Sequence, residues 1–402
     1  TDTDNQKLSG TELADERKII NRVDDSVLKF IDSKITYLRR SRGFAPMPIN
    51  ISQKNAPELI ALGSQESNTI SICSKGKVFI SQHIGDTSKT KTMDFLKNTV
   101  EYFLKFQNMR PKIILCDMHP DYYTTRYAKE LASSLDAKVI HIQHHIAHAY
   151  SVALENGFSS FTAISCDGSG YGLDKNIWGG EIFLFKNNAT QKDARIGHLE
   201  EQMLIGGESA IKEPKKMLFA IMSKFMNNTE LDTLFDARKD IWKKQINERF
   251  NTMKTTSTGR ILDAASAFLG FCSKRTYTGE PAIVLENAAK NAKPYDIEPV
   301  IEKKEKTILK TTPLFEFLWE NRDKNKPRLA ATVHNYLAGG LLRIAQRTSK
   351  GMPIIFSGGV AYNRYITAYM LENNVIINSK VPAGDGGISF GQIGYNIMTQ
   401  TD

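Results

Sequence analysis

Two lobes of α/β structure are what the sequence predicts, and two observations predict them. A series of three strands followed by alternating helices and strands occurs twice along the 402 residues, and three glycine-rich stretches, at 168–172, 358–359 and 384–387, follow apolar strands. Helices would then cover mixed sheets. In such folds ligands sit at the carboxyl ends of strands, here between the lobes. The composition, 41% hydrophobic and 24% charged, is ordinary for a globular chain and leaves room for one large two-lobed unit.

The first series runs through strands at 59–63, 69–74 and 77–83, with Gly76-Lys77 at one hairpin and Gly85-Asp86 closing the third strand. Helix 91–107, apolar strand 112–116, helix 124–135, strand 138–142 and helix 145–155 follow. The second series opens at Phe161. Residues 162–166 are apolar and end in Asp-Gly-Ser-Gly, and 177–185 and 195–203 read as further strands. After an insertion at about 205–325 come helix 328–347, strand 353–357, helix 361–372, strand 374–378 and helix 387–398. The expected lobes are therefore 48–160 and 161–402. Residues 1–47 lack this pattern. They carry Asp24, Asp25 and the Arg39-Arg40-Ser41-Arg42-Gly43 turn, and read as a linker or the tail of another domain.

No run of 18 or more apolar residues exists, so no membrane-spanning helix is expected. The start, Thr1-Asp2-Thr3-Asp4, has no apolar signal core and no Met, which fits a processed product or a piece of something longer. Cys73, Cys116, Cys166 and Cys272 are far apart and form no Cys-x-x-Cys pair. They read as reduced, buried thiols of a cytoplasmic protein. The net charge of +9 is spread along the chain, with its densest cluster at Arg39, Arg40 and Arg42. A solvated basic surface accounts for it. No nucleic-acid partner is expected, although an anionic nucleotide would suit the charge.

Five stretches carry possible chemistry. In His144-His145-Ile146-Ala147-His148, positions four apart share a helix side, so His144 and His148 can hold one ion while His145 lies about 100° away. Histidines satisfied at a helix start are the plainer alternative. A zinc protease would want His-Glu-x-x-His, and no Glu is present. In Cys166-Asp167-Gly168-Ser169-Gly170, an apolar strand ends in an acid and glycines. The acid can hold a metal or polarise a nucleophile, and the glycines let the backbone approach a phosphate; a plain glycine-rich hairpin is the alternative. In Phe356-Ser357-Gly358-Gly359, a buried strand leads through Gly-Gly into a helix with Asn363 one turn in, facing the cleft. Such a helix start binds anionic groups.

Asp385, in Pro382-Ala383-Gly384-Asp385-Gly386-Gly387, reads on its own as an N-cap. Its value comes from company. His144, His148, Asp167 and Asp385 lie at four strand-to-helix junctions that a two-lobed fold brings together, and two His with one or two carboxylates suit Fe²⁺ or Zn²⁺. Asp263, on an amphipathic helix, could accept from ribose hydroxyls; alone it reads as a surface acid.

Taken in order, these residues resemble the HypF-type carbamoyltransferase family of hydrogenase maturation and its antibiotic O-carbamoyltransferase cousins. The matching phrases include Arg40-Ser41-Arg42-Gly43-Phe44-Ala45-Pro46, Asp117-Met118-His119-Pro120-Asp121-Tyr122, Gln143-His144-His145-Ile146-Ala147-His148 and Asp167-Gly168-Ser169-Gly170-Tyr171-Gly172. Trp178-Gly179-Gly180-Glu181, Gly206-Gly207-Glu208, Lys212-Glu213-Pro214 and Ser357-Gly358-Gly359-Val360 continue the match. The resemblance implies an actin-like (ASKHA, duplicated RNase H-like) fold shared with tRNA threonylcarbamoyl transferases. It implies metal ligands at His144, His148 and Asp385, with Asp167 a further ligand or a phosphate neighbour. It implies nucleotide contacts from Asp167, Gly168, Ser169, Gly170, Asp263, Gly279 and Asn363, beside the Gly358-Gly359 turn.

The family is longer, with a YrdC-like domain that makes carbamoyl-adenylate from carbamoyl phosphate and ATP. Residues 17–47 resemble only the end of that domain, so the transferase half alone is expected, with a YrdC-like domain acting in cis or in trans. The implied reaction moves carbamoyl from carbamoyl-adenylate to the C-terminal cysteine of a HypE-type partner, during synthesis of NiFe-hydrogenase cyanide ligands. Asp167 or a metal-bound oxygen is the expected base, and Lys212, expected in a glycine-rich loop, steadies a phosphate or is simply solvated. The rivals are a tRNA threonylcarbamoyl transferase, a nucleotide-binding scaffold for HypE-like partners, and an actin-like kinase. The last would want an Asp where this chain has Gly63-Ser64-Gln65-Glu66.

Overall fold

A computed structural model of the chain describes residues 22–186 and 190–399, so the first part of the expected 1–47 tail lies outside the described residues. Strands β1 (Val27–Ile31) and β2 (Lys34–Arg39) form a separate hairpin. The first lobe then contains β3 (Ile49–Asn50), β4 (Leu59–Ala61), β5 (Ser71–Ser74), β6 (Lys77–Ile80), α1 (Thr90–Phe106), β7 (Ile113–Asp117), α2 (Tyr123–Leu135), β8 (Lys138–Ile142) and α3 (His144–Asn156). Its sheet has the order β3-β6-β5-β4-β7-β8.

The second lobe begins with β9 (Phe161–Tyr171), β10 (Ile177–Phe185), β11 (Arg195–Leu199) and β12 (Gln202–Ile205). The insertion supplies α4 (Glu208–Lys212), α5 (Pro214–Met222), α6 (Asn228–Leu234), α7 (Arg238–Glu248), β13 (Thr252–Thr255), α8 (Thr258–Phe268), α9 (Glu280–Ala289), β14 (Ile301–Lys303), β15 (Thr307–Leu309) and α10 (Thr312–Glu320). The series closes with α11 (Lys326–Ser349), β16 (Ile354–Ser357), α12 (Arg364–Glu372), β17 (Ile376–Ile377) and α13 (Ile388–Thr399).

The duplication read from the sequence is present in the strand order itself. β6-β5-β4-β7-β8 in the first sheet matches β11-β10-β9-β16-β17 in the second. In both, the first hairpin and its neighbour are antiparallel. In both, the fourth and fifth strands run parallel to the first. This is the twice-repeated α/β unit that the sequence predicts.

The two units interlock through their last helices. α3, which ends the first unit, packs against β9 and β16 of the second sheet, while α13, which ends the second, packs on β4, β5 and β7 of the first. The two helices touch each other along their length. Almost every residue of α3 is buried, as expected of a helix apolar around most of its circumference. The close crossing needs a glycine: a β-carbon on Gly391 would collide with the Ala147 carbonyl. Gln143 starts α3 by accepting the Ile146 N–H, and Gly157, in the left-handed conformation, ends it.

Several expectations need correction. Asp167-Gly168-Ser169-Gly170 is no loop beyond a strand: β9 continues through it to Tyr171, and the pairing slips between Gly180 opposite Cys166 and Trp178 opposite Gly170. The result is a bulge inside a hairpin. The strand expected at 195–203 breaks at Glu200, whose carboxylate accepts the N–H groups of Thr311 and Thr312. The helix expected from 361 is a 3₁₀ turn, Gly359–Tyr362, followed by α12. Among the described residues, no helix is long and apolar enough to cross a membrane. All four cysteines are free and buried, as predicted.

Candidate metal and nucleotide site

β8 ends at Ile142 and α3 begins at His144, so the first helical turn lies at the carboxyl edge of the first sheet. The bulge of β9 brings Asp167 up from the second sheet, and the turn before α13 brings Asp385. One ligand atom from each of His144, His148, Asp167 and Asp385 fits in a group whose members all lie within 4.8 Å of one another. His144 Nε2 lies 3.3 Å from Asp167 Oδ2 and 3.6 Å from Asp385 Oδ1; His148 Nε2 lies 3.9 Å from each. His144 Nε2 and both nitrogens of His148 are buried without hydrogen-bond partners. A divalent ion would satisfy these buried, unpartnered nitrogens facing two carboxylates, and an imidazole-carboxylate donor set fits Fe²⁺ or Zn²⁺.

The charges support the same grouping. Burial alone would raise the Asp167 pKa, but the neighbouring His144 and His148 rings hold it well below the usual carboxylate range. Burial works against charge on His144, yet Asp117, Asp385 and Asp167 beside it raise its pKa well above 6.5. His145 stands apart. Burial, then the charge of His144, takes it down to about 3, so it is neutral, and its Nδ1 is paired with Gln143 Nε2 at 3.0 Å.

The glycines have reasons of their own. A β-carbon on Gly170 would run into the His144 and His145 rings. Gly358, at φ +102°, crosses so close to β9 that a side chain would strike the Cys166 carbonyl. Its N–H bonds Ala383 O at 3.0 Å, and the Gly359 N–H bonds Asp167 Oδ1 at 3.2 Å. Both amides that the sequence offers to a phosphate are thus already used, one of them to aim Asp167. Asn363 is also spoken for: it is the N-cap of α12, accepting the Ile366 N–H, rather than a residue one turn into a helix.

Gly168 is half-buried and Ser169 exposed, and α8 packs against β9 beside them. Ser257 caps α8 by accepting the Arg260 N–H, and its hydroxyl donates toward the carbonyls of Asp167 and Gly168. Asp263, one turn further, is no surface acid. It is 2% exposed, it pairs with Arg260 at 2.9 Å, and both of its oxygens lack a hydrogen bond, as does Arg260 Nε. Burial pushes the Asp263 carboxyl up, partly offset by Arg260 and Arg275. Lys212 is exposed at the end of α4, not in a glycine-rich loop; its carbonyl accepts the Arg275 N–H. Gly279 caps α9 at φ +81°, in the stretch following Arg275.

Sequence reasoning missed Asp117, whose Oδ2 lies 2.7 Å from His144 Nδ1, and Arg260. It also missed Tyr362, whose hydroxyl accepts the Gly384 N–H next to Asp385. Asp117 carried a readable signal, since it ends an apolar strand after a cysteine just as Asp167 does.

Two family models match consecutive stretches of the chain. One, described as the HypF Kae1-like domain, covers residues 54–155; the other, described as carbamoyltransferase, Kae1-like domain, second subdomain, covers residues 163–392. A probable carbamoyltransferase HypF of Methanocaldococcus jannaschii is 41% identical over 412 residues, covering 96% of this chain and 53% of the relative. The crystal structure of full-length HypF in its phosphate- and nucleotide-bound form is similar with a TM-score of 0.88 at 30% identity, covering 96% of this chain and 52% of that one. That of T. kodakarensis HypF gives 0.87 at 33% identity, covering 95% and 52%. The chain therefore spans about half the length of these relatives.

Proposed function

We propose that this chain, which belongs to the HypF carbamoyltransferase family, moves a carbamoyl group from carbamoyl-adenylate to the C-terminal cysteine thiol of a HypE-type partner. The step serves cyanide-ligand synthesis for NiFe hydrogenase and takes place in the cytoplasm, where thiols stay reduced. The observation that carries this reading is the convergence of His144, His148, Asp167 and Asp385 beside the buried, under-satisfied Arg260–Asp263 pair.

Asp263 accepts from the ribose hydroxyls, and Arg260 donates to the phosphate of the AMP moiety; each supplies what the other cannot. Gly168 and Ser169 line the path between them and the cluster. Fe²⁺ or Zn²⁺ held by His144, His148, Asp167 and Asp385 would act as a Lewis acid on a carbonyl or phosphoryl oxygen. The acceptor thiol gives up its proton to solvent, and the sulfur attacks the carbamoyl carbon. The bond from that carbon to the AMP phosphate oxygen breaks, its electron pair leaves with AMP, and a thiocarbamate forms. Asp167 is too strongly held as an anion to serve as the base expected of it, so it acts as a ligand. Three of the chain's own cysteines are unsuited as carriers: burial pushes the Cys73, Cys116 and Cys166 thiols up to about 12.

Carbamoyl-adenylate would come from a YrdC-like domain. The β1-β2 hairpin, read as the end of such a domain, has Leu28, Phe30 and Ile35 exposed, and two strands alone are marginally stable. It is tied to the second lobe by Lys29, which bonds Tyr362 O at 2.8 Å and Glu286 at 3.2 Å. The test is to mix the chain with ATP, carbamoyl phosphate and a HypE-type partner and weigh the partner by mass spectrometry. No thiocarbamate is expected until a YrdC-like domain or preformed carbamoyl-adenylate is added. Full activity without either contradicts this division of labour.

A further inference from the structure

We propose that Asp117 is a positioning residue that decides which nitrogen of His144 faces the metal cluster, an inference resting on the metal reading above. The two oxygens of Asp117 serve different partners. Oδ2 lies 2.7 Å from His144 Nδ1, and Oδ1 accepts the His119 backbone N–H at 2.9 Å. Both side chains of the pair are sealed from solvent, at 2% and 1% exposure. The placement follows from strand register. Asp117 is the last residue of β7 and stands opposite Ile142 of β8, two residues before His144.

An ionised carboxylate can only accept hydrogen bonds, so the hydrogen at this contact sits on His144 Nδ1. That leaves Nε2, which has no hydrogen-bond partner, as the nitrogen that turns its lone pair to the ion when the ring gives up its second proton. The second bond keeps the acid from turning away, because the turn at His119 holds the other oxygen. Asparagine cannot replace Asp117. It has one acceptor oxygen for two N–H donors, so its amide NH₂ must face either the His119 N–H or His144. In the first case the turn loses its bond. In the second the histidine tautomer inverts, and a proton occupies the nitrogen that should bind the ion.

Zinc is the probe, because it is diamagnetic. In zinc-loaded protein labelled with nitrogen-15 histidine, NMR should find His144 protonated at Nδ1 and bound through Nε2. Competition with a chelator should find Asp117→Asn about 10- to 100-fold weaker for zinc than the unaltered chain. Ligation of His144 through Nδ1, or an Asp117→Asn variant with unchanged affinity, overturns the proposal. Should the variant not fold, the tautomer in the unaltered chain decides alone. An unaltered chain that takes up no zinc overturns the metal reading itself, a result distinguishable from failure of Asp117 alone.

Discussion

The Glu155 carboxylate accepts the backbone N–H of Val381 at 2.8 Å, across the junction of the two lobes. It also accepts the N–H groups of Ser379 and Lys380, at 2.8 and 3.1 Å. Glu155 lies in the last turn of the helix that carries His144 and His148, and the segment it clamps leads within four residues to Asp385. One helix thus carries two of the proposed ligands and fixes the approach of a third.

Glu155→Ala should therefore loosen the site as well as the fold. Each buried N–H left without an acceptor costs about 1–3 kcal/mol. A stability loss of at least about 2 kcal/mol in denaturant titration is expected, with weaker zinc binding. Unchanged stability would mean that the clamp is dispensable.

Gly391→Ala tests the helix crossing. The added methyl meets the Ala147 carbonyl, next to His148, so α3 and α13 must separate. Overpacking of this kind costs about 1–3 kcal/mol. Calorimetry should record a lower Tm together with reduced metal content. A variant as stable as the parent would contradict the packing described.

Metal binding should depend on pH through His144. In the metal-free protein its pKa is raised well above 6.5, so at neutral pH the ring is an imidazolium and must lose a proton before Nε2 can bind an ion. Affinity should therefore fall as pH falls, about tenfold per pH unit below that raised pKa, and rise no further above it. Titration calorimetry at pH 7 in two buffers of different ionisation enthalpy should detect about one proton released per ion. No proton release would contradict the assignment.

Nucleotide binding should discriminate between the partners of the buried pair. Asp263→Asn should weaken adenosine and AMP alike, because the ribose is common to both. Arg260→Met should weaken AMP far more than adenosine. Equal losses for Arg260→Met would place the phosphate elsewhere, and unchanged affinity in both variants would move the nucleotide out of this cleft.

The order of strands and helices was legible because central strands of both sheets carry largely apolar stretches, as at 113–116 and 161–166. His144 and His148 were legible from helical spacing, and Asp167 and Asp385 from their place after strands. Asp263 was not. Its burial comes from the packing of α8 against α5 and α9 in the insertion, where no strand-helix rhythm marks the fold. The Gly358-Gly359 amides were read as open to ligand because their internal partners, Ala383 and Asp167, depend on where distant segments come to rest; Asn363 was misread because the helix was expected to start at 361, whereas α12 starts at Arg364 and Asn363 caps it. The pairing of Asp117 with His144 likewise depends on the register of β7 against β8, which sequence spacing alone does not fix.

The most direct test of the whole account is His148→Ala, assayed for bound metal and for transfer from preformed carbamoyl-adenylate to a HypE-type cysteine. Both nitrogens of His148 lack protein partners, so the substitution breaks no hydrogen bond of that ring, and circular dichroism should be unchanged. Metal content and thiocarbamate formation should be lost together. A folded His148→Ala protein that keeps stoichiometric metal, or that loses it and still transfers carbamoyl at the normal rate, contradicts the account.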